Sequence, residues 1–403
     1  MKVTLEDIKE AQLRIKSTIK KTSVDKSLSA SKLLGREIYY KFENEQITGS
    51  FKIRGALNKI STLTNDEKKQ GVVASSAGNH AQGVAFSAAK CGVKSTIVMP
   101  ENAALMKVNA TREYGSDVIL HGNYYDEAFS YAQDFVKQNG GVFIPPYQDE
   151  KVIAGQGTIG LEILDVIPDL DSIVVPVGGG GLISGVALAL KSVNPKIKVI
   201  GVQSNIMSSM VQLFKHQKVD ETFQQRMMTI ADGIAVKKPS SIMYDNFIKK
   251  YVDDMVTVSD DEIAEAILFL IERAKAVAEG SGAAALAAVM KRNLNLGQKS
   301  CILISGGNID LNIISKIIDQ GLVKKGRLAE VGMIVPDIPG ILNRITGVIS
   351  QEKANILQVH HDRSDRSLQL RETRISFLLE TTSHEHVDLI KKTLQSIEGV
   401  KLD

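Results

Sequence analysis

Ile173-Val174-Val175-Pro176-Val177-Gly178-Gly179-Gly180-Gly181-Leu182 lies inside a stretch that imitates a membrane span. Ser172 to Leu190 carries no charge, and about 18 uncharged apolar residues is the usual threshold for a transmembrane helix. The interior decides against that reading. Pro176 and the consecutive glycines Gly178 to Gly181 would break a spanning helix, whereas the β-branched run before them reads as a buried strand and Leu182 onward as a helix. Strand, glycine turn, helix is an arrangement that aims several backbone N–H groups and the positive end of a helix dipole at an anion such as phosphate. A tight turn for close packing would account for two glycines and is a strained explanation of four.

The same alternation extends in both directions. From about Glu37 to Ile317, short β-branched runs alternate with helical stretches of ~10 to 15 residues, which predicts a doubly wound α/β fold with a mainly parallel sheet. Strands are expected at Val72-Val73-Ala74, Thr96 to Met99, Val118 to Leu120, Ile173 to Val177, Val199 to Val202 and Cys301 to Ile304. Helices are expected at Asn79 to Lys90, Ala104 to Tyr114, Asp126 to Lys137, Asp260 to Ala276 and Ala283 to Lys291. At Lys324-Lys325-Gly326-Arg327 the pattern shortens to strand, helix, strand, strand, helix, strand, the order of a ferredoxin-like βαββαβ domain. Its elements are expected at Val331 to Val335, Pro339 to Ser350 with proline opening the helix, Ile356 to His360, Thr373 to Leu379 and His386 to Ile397. The expected domains are thus residues 1–325, with a smaller subdomain at roughly 45–145, and residues 326–403.

Composition narrows the class. The chain has 403 residues, 43% of them hydrophobic, enough for two or three cores. Its formal charge of +3 is dispersed among mixed-sign stretches and it has no tryptophan, so nucleic acid is not an expected partner. Cys91 and Cys301 form no disulfide framework and no metal-ligand spacing. The N-terminus reads as the capped start of an amphipathic helix and not as a signal peptide, so a cytoplasmic location with no membrane partner is expected. The paired histidines His360-His361 and His384-Glu385-His386 do not share a helix face and read as surface residues.

Three further runs carry chemistry. Gly49-Ser50-Phe51-Lys52-Ile53-Arg54-Gly55 sets an amine between glycines before a helix, although most lysines so placed are solvated. Ser75-Ser76-Ala77-Gly78-Asn79-His80 follows a strand and opens a helix, so its donors suit a carboxylate, and helix capping accounts for its serines and asparagine equally well. Ser305-Gly306-Gly307-Asn308 again ends a strand.

Taken with Gly155-Gln156-Gly157-Thr158 and Asp232-Gly233, these runs occur in the order and spacing of the fold type II pyridoxal phosphate family, and the chain resembles its serine and threonine dehydratases from roughly Ile8 to Gly321. The resemblance implies pyridoxal 5'-phosphate as cofactor and two doubly wound subdomains like those of tryptophan synthase β. It implies Lys52 as the Schiff-base and catalytic lysine with Phe51 beside it, Asn79 on the ring oxygen, Gly178, Gly179, Gly180, Gly181 and Leu182 at the phosphate, and Ser305 at the pyridine nitrogen. Ser75, Ser76, Ala77, Gly78, Asn79, His80 and Gly155 are implied on the substrate side. A serine at the ring nitrogen leaves it unprotonated, a weaker electron sink that suits prompt loss of a β-substituent. The expected reaction is elimination from L-threonine to 2-oxobutanoate and ammonia, and from L-serine to pyruvate, with Lys52 as base.

Departures from the family pattern sharpen this. Racemases of the family place a serine where this chain has Ala77, so inversion lacks its acid and elimination should dominate. Their divalent-metal carboxylates are missing from Ser204-Asn205-Ile206-Met207-Ser208-Ser209, so no metal is expected. A serine-preferring dehydratase or racemase is the nearest alternative, and a catalytically inactive amino-acid sensor the alternative of another class. The C-terminal region resembles an ACT regulatory domain through Val335 to Leu342 and Ala354-Asn355-Ile356, implying an amino-acid effector at Pro339, Gly340, Ile341 and Leu342. A purely oligomerising role for this region competes with that, and a homodimer or homotetramer is the family expectation.

Overall fold

The computed structural model describes residues 1–219, 229–364 and 367–403. The chain divides into two compact units, Met1–Ile309 and Asp310–Asp403. The division falls ahead of the basic Lys324 to Arg327 joint, because a helix at Leu311–Lys324 groups with the C-terminal unit.

The first unit holds two sheets. The larger has the order β1-β2-β10-β7-β8-β9, built from β1 (Val24–Lys26), β2 (Glu37–Phe42), β7 (Ser172–Pro176), β8 (Lys198–Ser204), β9 (Asp254–Val258) and β10 (Lys299–Ile304). Every pairing is parallel except β1 with β2. Its three inner strands β10, β7 and β8 are buried on both faces, hence continuous burial without alternation. The smaller sheet, β5-β4-β3-β6, is wholly parallel and comprises β3 (Val72–Ser75), β4 (Ser95–Met99), β5 (Asp117–Leu120) and β6 (Val142–Phe143). Each sheet has its own core: Ile173, Val175, Ile183, Val199 and Leu303 contribute to one, and Val72, Ala74, Val84, Ile97 and Met99 to the other.

The expected helices form at Asn79–Lys90, Leu105–Glu113, Tyr125–Asn139, Asp260–Phe269 and Gly280–Lys291. The fourth is shorter than expected: it widens into a π-turn at Leu270–Ala274 and stops at Lys275, which takes a left-handed φ of 57°. One long element was not expected, a helix at Glu150–Val166 that packs between the Lys52–Ser61 and Gly181–Val193 helices.

The second unit is an antiparallel sheet of order β12-β13-β11-β14, made of β11 (Leu328–Pro336), β12 (Asn355–Asp362), β13 (Glu372–Glu380) and β14 (Lys401–Leu402), with helices at Ile341–Gln351 and His384–Gln395. This is the βαββαβ order. Alternating burial along β13 sends Ile375, Phe377 and Leu379 into a core shared with Ile345, Ile349, Ile390 and Leu394. The first of these helices is capped by Gly340, at φ 87°, and begins at Ile341, so Pro339 precedes the helix and does not open it.

Candidate active site

The glycine loop joins β7 to the thirteen-residue Gly181–Val193 helix. Two of its glycines are required by close approach: a Cβ on Gly179 would lie 2.3 Å from the Tyr147 ring, and one on Gly181 would lie 2.7 Å from Tyr147 Cβ. Gly180 adopts φ 94°, the left-handed region that glycine enters without strain. The loop thus passes beneath Tyr147 and enters a helix N-terminus, where backbone N–H groups suit phosphate oxygens.

Lys52 reaches this loop through the neighbour of Tyr147. Its Nζ donates to the Pro146 carbonyl at 3.2 Å. Burial pushes the amine down to about 8, with Glu279 nearby opposing the shift. The backbone just before Lys52 is pinned to the end of β10: Phe51 N donates to Ser305 O at 3.1 Å, Gly307 N to Gly49 O at 2.8 Å, and Ser50 bridges Gly306. Ser305 is therefore one short strand pairing away from the lysine.

The Ser75–His80 run leaves β3 and opens the Asn79–Lys90 helix. Ser75 is buried and its Oγ has no protein partner. Ser76 Oγ accepts from Gly78 N–H at 3.2 Å, tightening the turn. Asn79 joins a polar chain: its Nδ2 donates to Glu279 Oε1 at 2.6 Å, and its Oδ1 accepts from Asn308 Nδ2 at 2.8 Å. His80 Nε2 donates to the Ile144 carbonyl at 2.8 Å, and burial with the Lys52 charge pushes its pKa down to about 3, so the ring is neutral. The glycine cradle, the amine at Lys52 and the orphaned hydroxyls of Ser50, Ser75 and Ser281 fit a phosphorylated carbonyl cofactor.

The structure thus gathers Phe51, Lys52, Ser75 to His80, the glycine loop and Ser305. Gly155 stands apart in role: a Cβ there would meet Arg54 O at 2.5 Å and Gly55 Cα at 2.7 Å, so its place is a helix crossing beneath Lys52. Leu182 is buried in the core of the larger sheet. In the C-terminal unit, Ile341 is buried and Leu342 is 37% exposed beside Gly340. There His386, expected on the surface, is half-buried with its Nε2 bonded to the Glu352 carbonyl at 2.7 Å.

Just ahead of the Ser204 to Ser209 stretch, Gln203 turns its Oε1 to the N–H groups of Met210 and Val211, both at 2.9 Å, and so ties the end of β8 to the start of the next helix. Among the described residues no group of three or more His, Cys, Asp or Glu is arranged to hold a metal.

Tyr147 and Glu279 were missed from the sequence. Tyr147 follows a Pro-Pro pair after a two-residue strand, and that local rigidity was the available signal. Glu279 opens the run Gly280-Ser281-Gly282, a glycine-rich helix start like the others.

The family model for the pyridoxal-phosphate dependent enzyme matches residues 15–306, and that for the ACT domain matches residues 329–399. An L-threonine ammonia-lyase of Thermotoga maritima is 50% identical over 392 residues, 97% of this chain and 97% of its own length. A catabolic L-threonine dehydratase of Escherichia coli is 48% identical over 318 residues, 78% of this chain and 96% of its own. Among solved structures, maize serine racemase superposes with a TM-score of 0.74 at 33% identity, covering 80% of this chain and 98% of that one.

Proposed function

This chain belongs to the pyridoxal-phosphate dependent enzymes, and from that membership we propose that it converts L-threonine to 2-oxobutanoate and ammonia, and L-serine to pyruvate. The observation that carries the reading is the Lys52 amine, with its pKa brought down to about 8 and linked through Pro146-Tyr147 to the glycine cradle. Bound pyridoxal phosphate supplies the sink for the electron pair left at Cα when its proton departs. The N–H groups of Gly178 to Gly181 would hold its phosphate, Ser305 would face the ring nitrogen and Asn79 the ring oxygen. Lys52 would take the Cα proton, the β-hydroxyl would depart with one proton so that the two losses together make one water, and the enamine product would rearrange to its imine, add one water and lose ammonia to give the 2-oxo acid. A base whose pKa lies near the working pH is deprotonated often enough to act and basic enough to pull.

Elimination is favoured over inversion by the far face. Ala77 has no hydroxyl, and Ser76 Oγ, one residue earlier, is drawn into the turn by the Gly78 N–H that it accepts. Purified holoenzyme mixed with L-threonine should yield 2-oxobutanoate; no 2-oxo acid from either threonine or serine would sink the lyase reading in favour of an amino-acid sensor. Rapid D-serine formation would overturn the role given to Ala77.

For the C-terminal unit the proposal is allosteric control by an amino acid seated at Pro339, Gly340, Ile341 and Leu342, in a cytoplasmic homodimer or homotetramer. Titrating isoleucine and valine against activity, with and without the residues after Arg327, tests it: unchanged kinetics would leave this unit a structural role only.

A further inference from the structure

Glu279 occupies the N-cap of the Gly280–Lys291 helix, where a short side chain ordinarily turns back to accept from the first N–H groups. Here no cap bond forms, and the carboxyl crosses instead to Asn79, Oε1 accepting from Nδ2 at 2.6 Å. The residue is only 7% exposed. Room for it exists because position 306 is glycine: a Cβ there would come within 2.2 Å of the same Oε1.

On the other side of Asn79, Asn308 spends one amide N–H on the Thr48 carbonyl at 2.9 Å and the other on Asn79 Oδ1 at 2.8 Å. A carbonyl can only accept. Thr48 therefore fixes which way Asn308 faces, Asn308 fixes Asn79, and Asn79 must turn its NH2 toward Glu279. One N–H of that group goes to Glu279 Oε1, and the other remains for a further acceptor. Lys52, Lys107 and Asp232 are the charged groups acting on Glu279; burial and Asp232 bring its pKa up to about 8. Oε1 accepts whether or not the carboxyl holds a proton, so the relay persists across neutral pH.

We propose that Glu279 and Asn308 are positioning residues that clamp the Asn79 amide from both sides and aim its remaining N–H at the ring oxygen of the bound cofactor. This rests on the reading of Asn79 as the ring-oxygen partner, so the test starts there. In the holoenzyme, Asn79→Ala, Glu279→Ala and Glu279→Gln are compared by the visible absorbance of the bound cofactor and by kcat and KM for threonine. Asn79→Ala and Glu279→Ala are expected to move the absorbance band in the same direction and to lower kcat by about tenfold, with KM within about threefold. Glu279→Gln keeps an accepting oxygen and restores both.

An unmoved band in Glu279→Ala beside a moved one in Asn79→Ala overturns the clamp alone. A glutamine variant as impaired as the alanine variant also overturns it, since charge or bulk would then matter and not the acceptor. An unmoved band in Asn79→Ala overturns the ring-oxygen reading and the clamp with it. Should Glu279→Ala fail to fold, Asn308→Ala removes the opposite jaw and is expected to give the same band shift; no shift overturns the clamp.

Discussion

Lys52 and Glu279 each sit in a place that penalises their charge, and the two respond oppositely to pH. Replacing Lys52 with alanine removes the amine that holds the cofactor and takes the Cα proton; the purified variant should lose its visible absorbance and at least ~10^3-fold of its activity, measured as 2-oxobutanoate release. Glu279 supplies a stability signature. Its folded pKa, up to about 8, stands above the ordinary carboxylate range. Between that range and about 8 the folded chain holds a proton that the unfolded chain has released, so this group's contribution to stability falls as pH rises through the window. Glu279→Gln carries no such proton. Its Tm minus that of the parent should therefore become more positive from about pH 5 to about pH 9, measured by thermal melts of both holoenzymes. Lys52 was legible in the sequence only through its company, because the glycine loop, the Ser75 to His80 run and Ser305 to Asn308 accompany it in the order of the family it resembles. Glu279 was not, because its work depends on Gly306, Asn79 and Asn308, which only folding brings beside it.

At the scale of elements, the Glu150–Val166 helix carries much of the site's support and was the least legible. Gly155, Gly157 and Gly160 lower its intrinsic helix propensity, so Gly155-Gln156-Gly157-Thr158 is legible as a family run and not as part of a helix. The structure uses their missing side chains for contact. Cβ atoms at these positions would strike Arg54 O, Gly185 O and the Ala189 Cβ, so the glycines let this helix press against its neighbours on both sides. Lys41 similarly concealed β2, since a lysine in a strand reads as a solvent-facing position. It is instead fully buried, in a closed network where Arg54 pairs with Glu43 and Glu162, each at 2.8 Å, and Lys41 with Glu162 at 2.6 Å. The two cations and two carboxylates balance, so the network is tolerable whole and costly in part. Glu162→Ala should destabilise the first unit by about 3–5 kcal/mol, read as a lower urea midpoint, by leaving Arg54 and Lys41 short of a carboxylate. Because Arg54 lies two residues beyond Lys52, the same variant is expected to bind the cofactor more weakly. By contrast, strands flanked by turn residues, such as β3, β4 and β10, were readable from their β-branched runs alone.

At the scale of the whole molecule, two units with separate cores predict two calorimetric transitions, of which added pyridoxal phosphate should raise only the one belonging to Met1–Ile309. A single transition moved as a whole would contradict that independence. The two-unit plan was visible in the change of element rhythm after Lys324. The position of the division was not, because the Leu311–Lys324 helix continues the preceding pattern while its contacts group it with the C-terminal unit. Strand order has one more consequence. β10 is the last strand of its sheet in the chain yet lies between β2 and β7, and it delivers Ser305 to Phe51. A ribosome adding ~5–20 residues per second reaches it about 13–50 s after finishing β2. For that interval the nascent protein has its reactive amine and, later, its glycine loop, but the sheet beneath them lacks its middle. Cofactor capture is therefore an event of the nearly finished chain, and a transcript truncated before Lys299 should leave a product with no affinity for the vitamin.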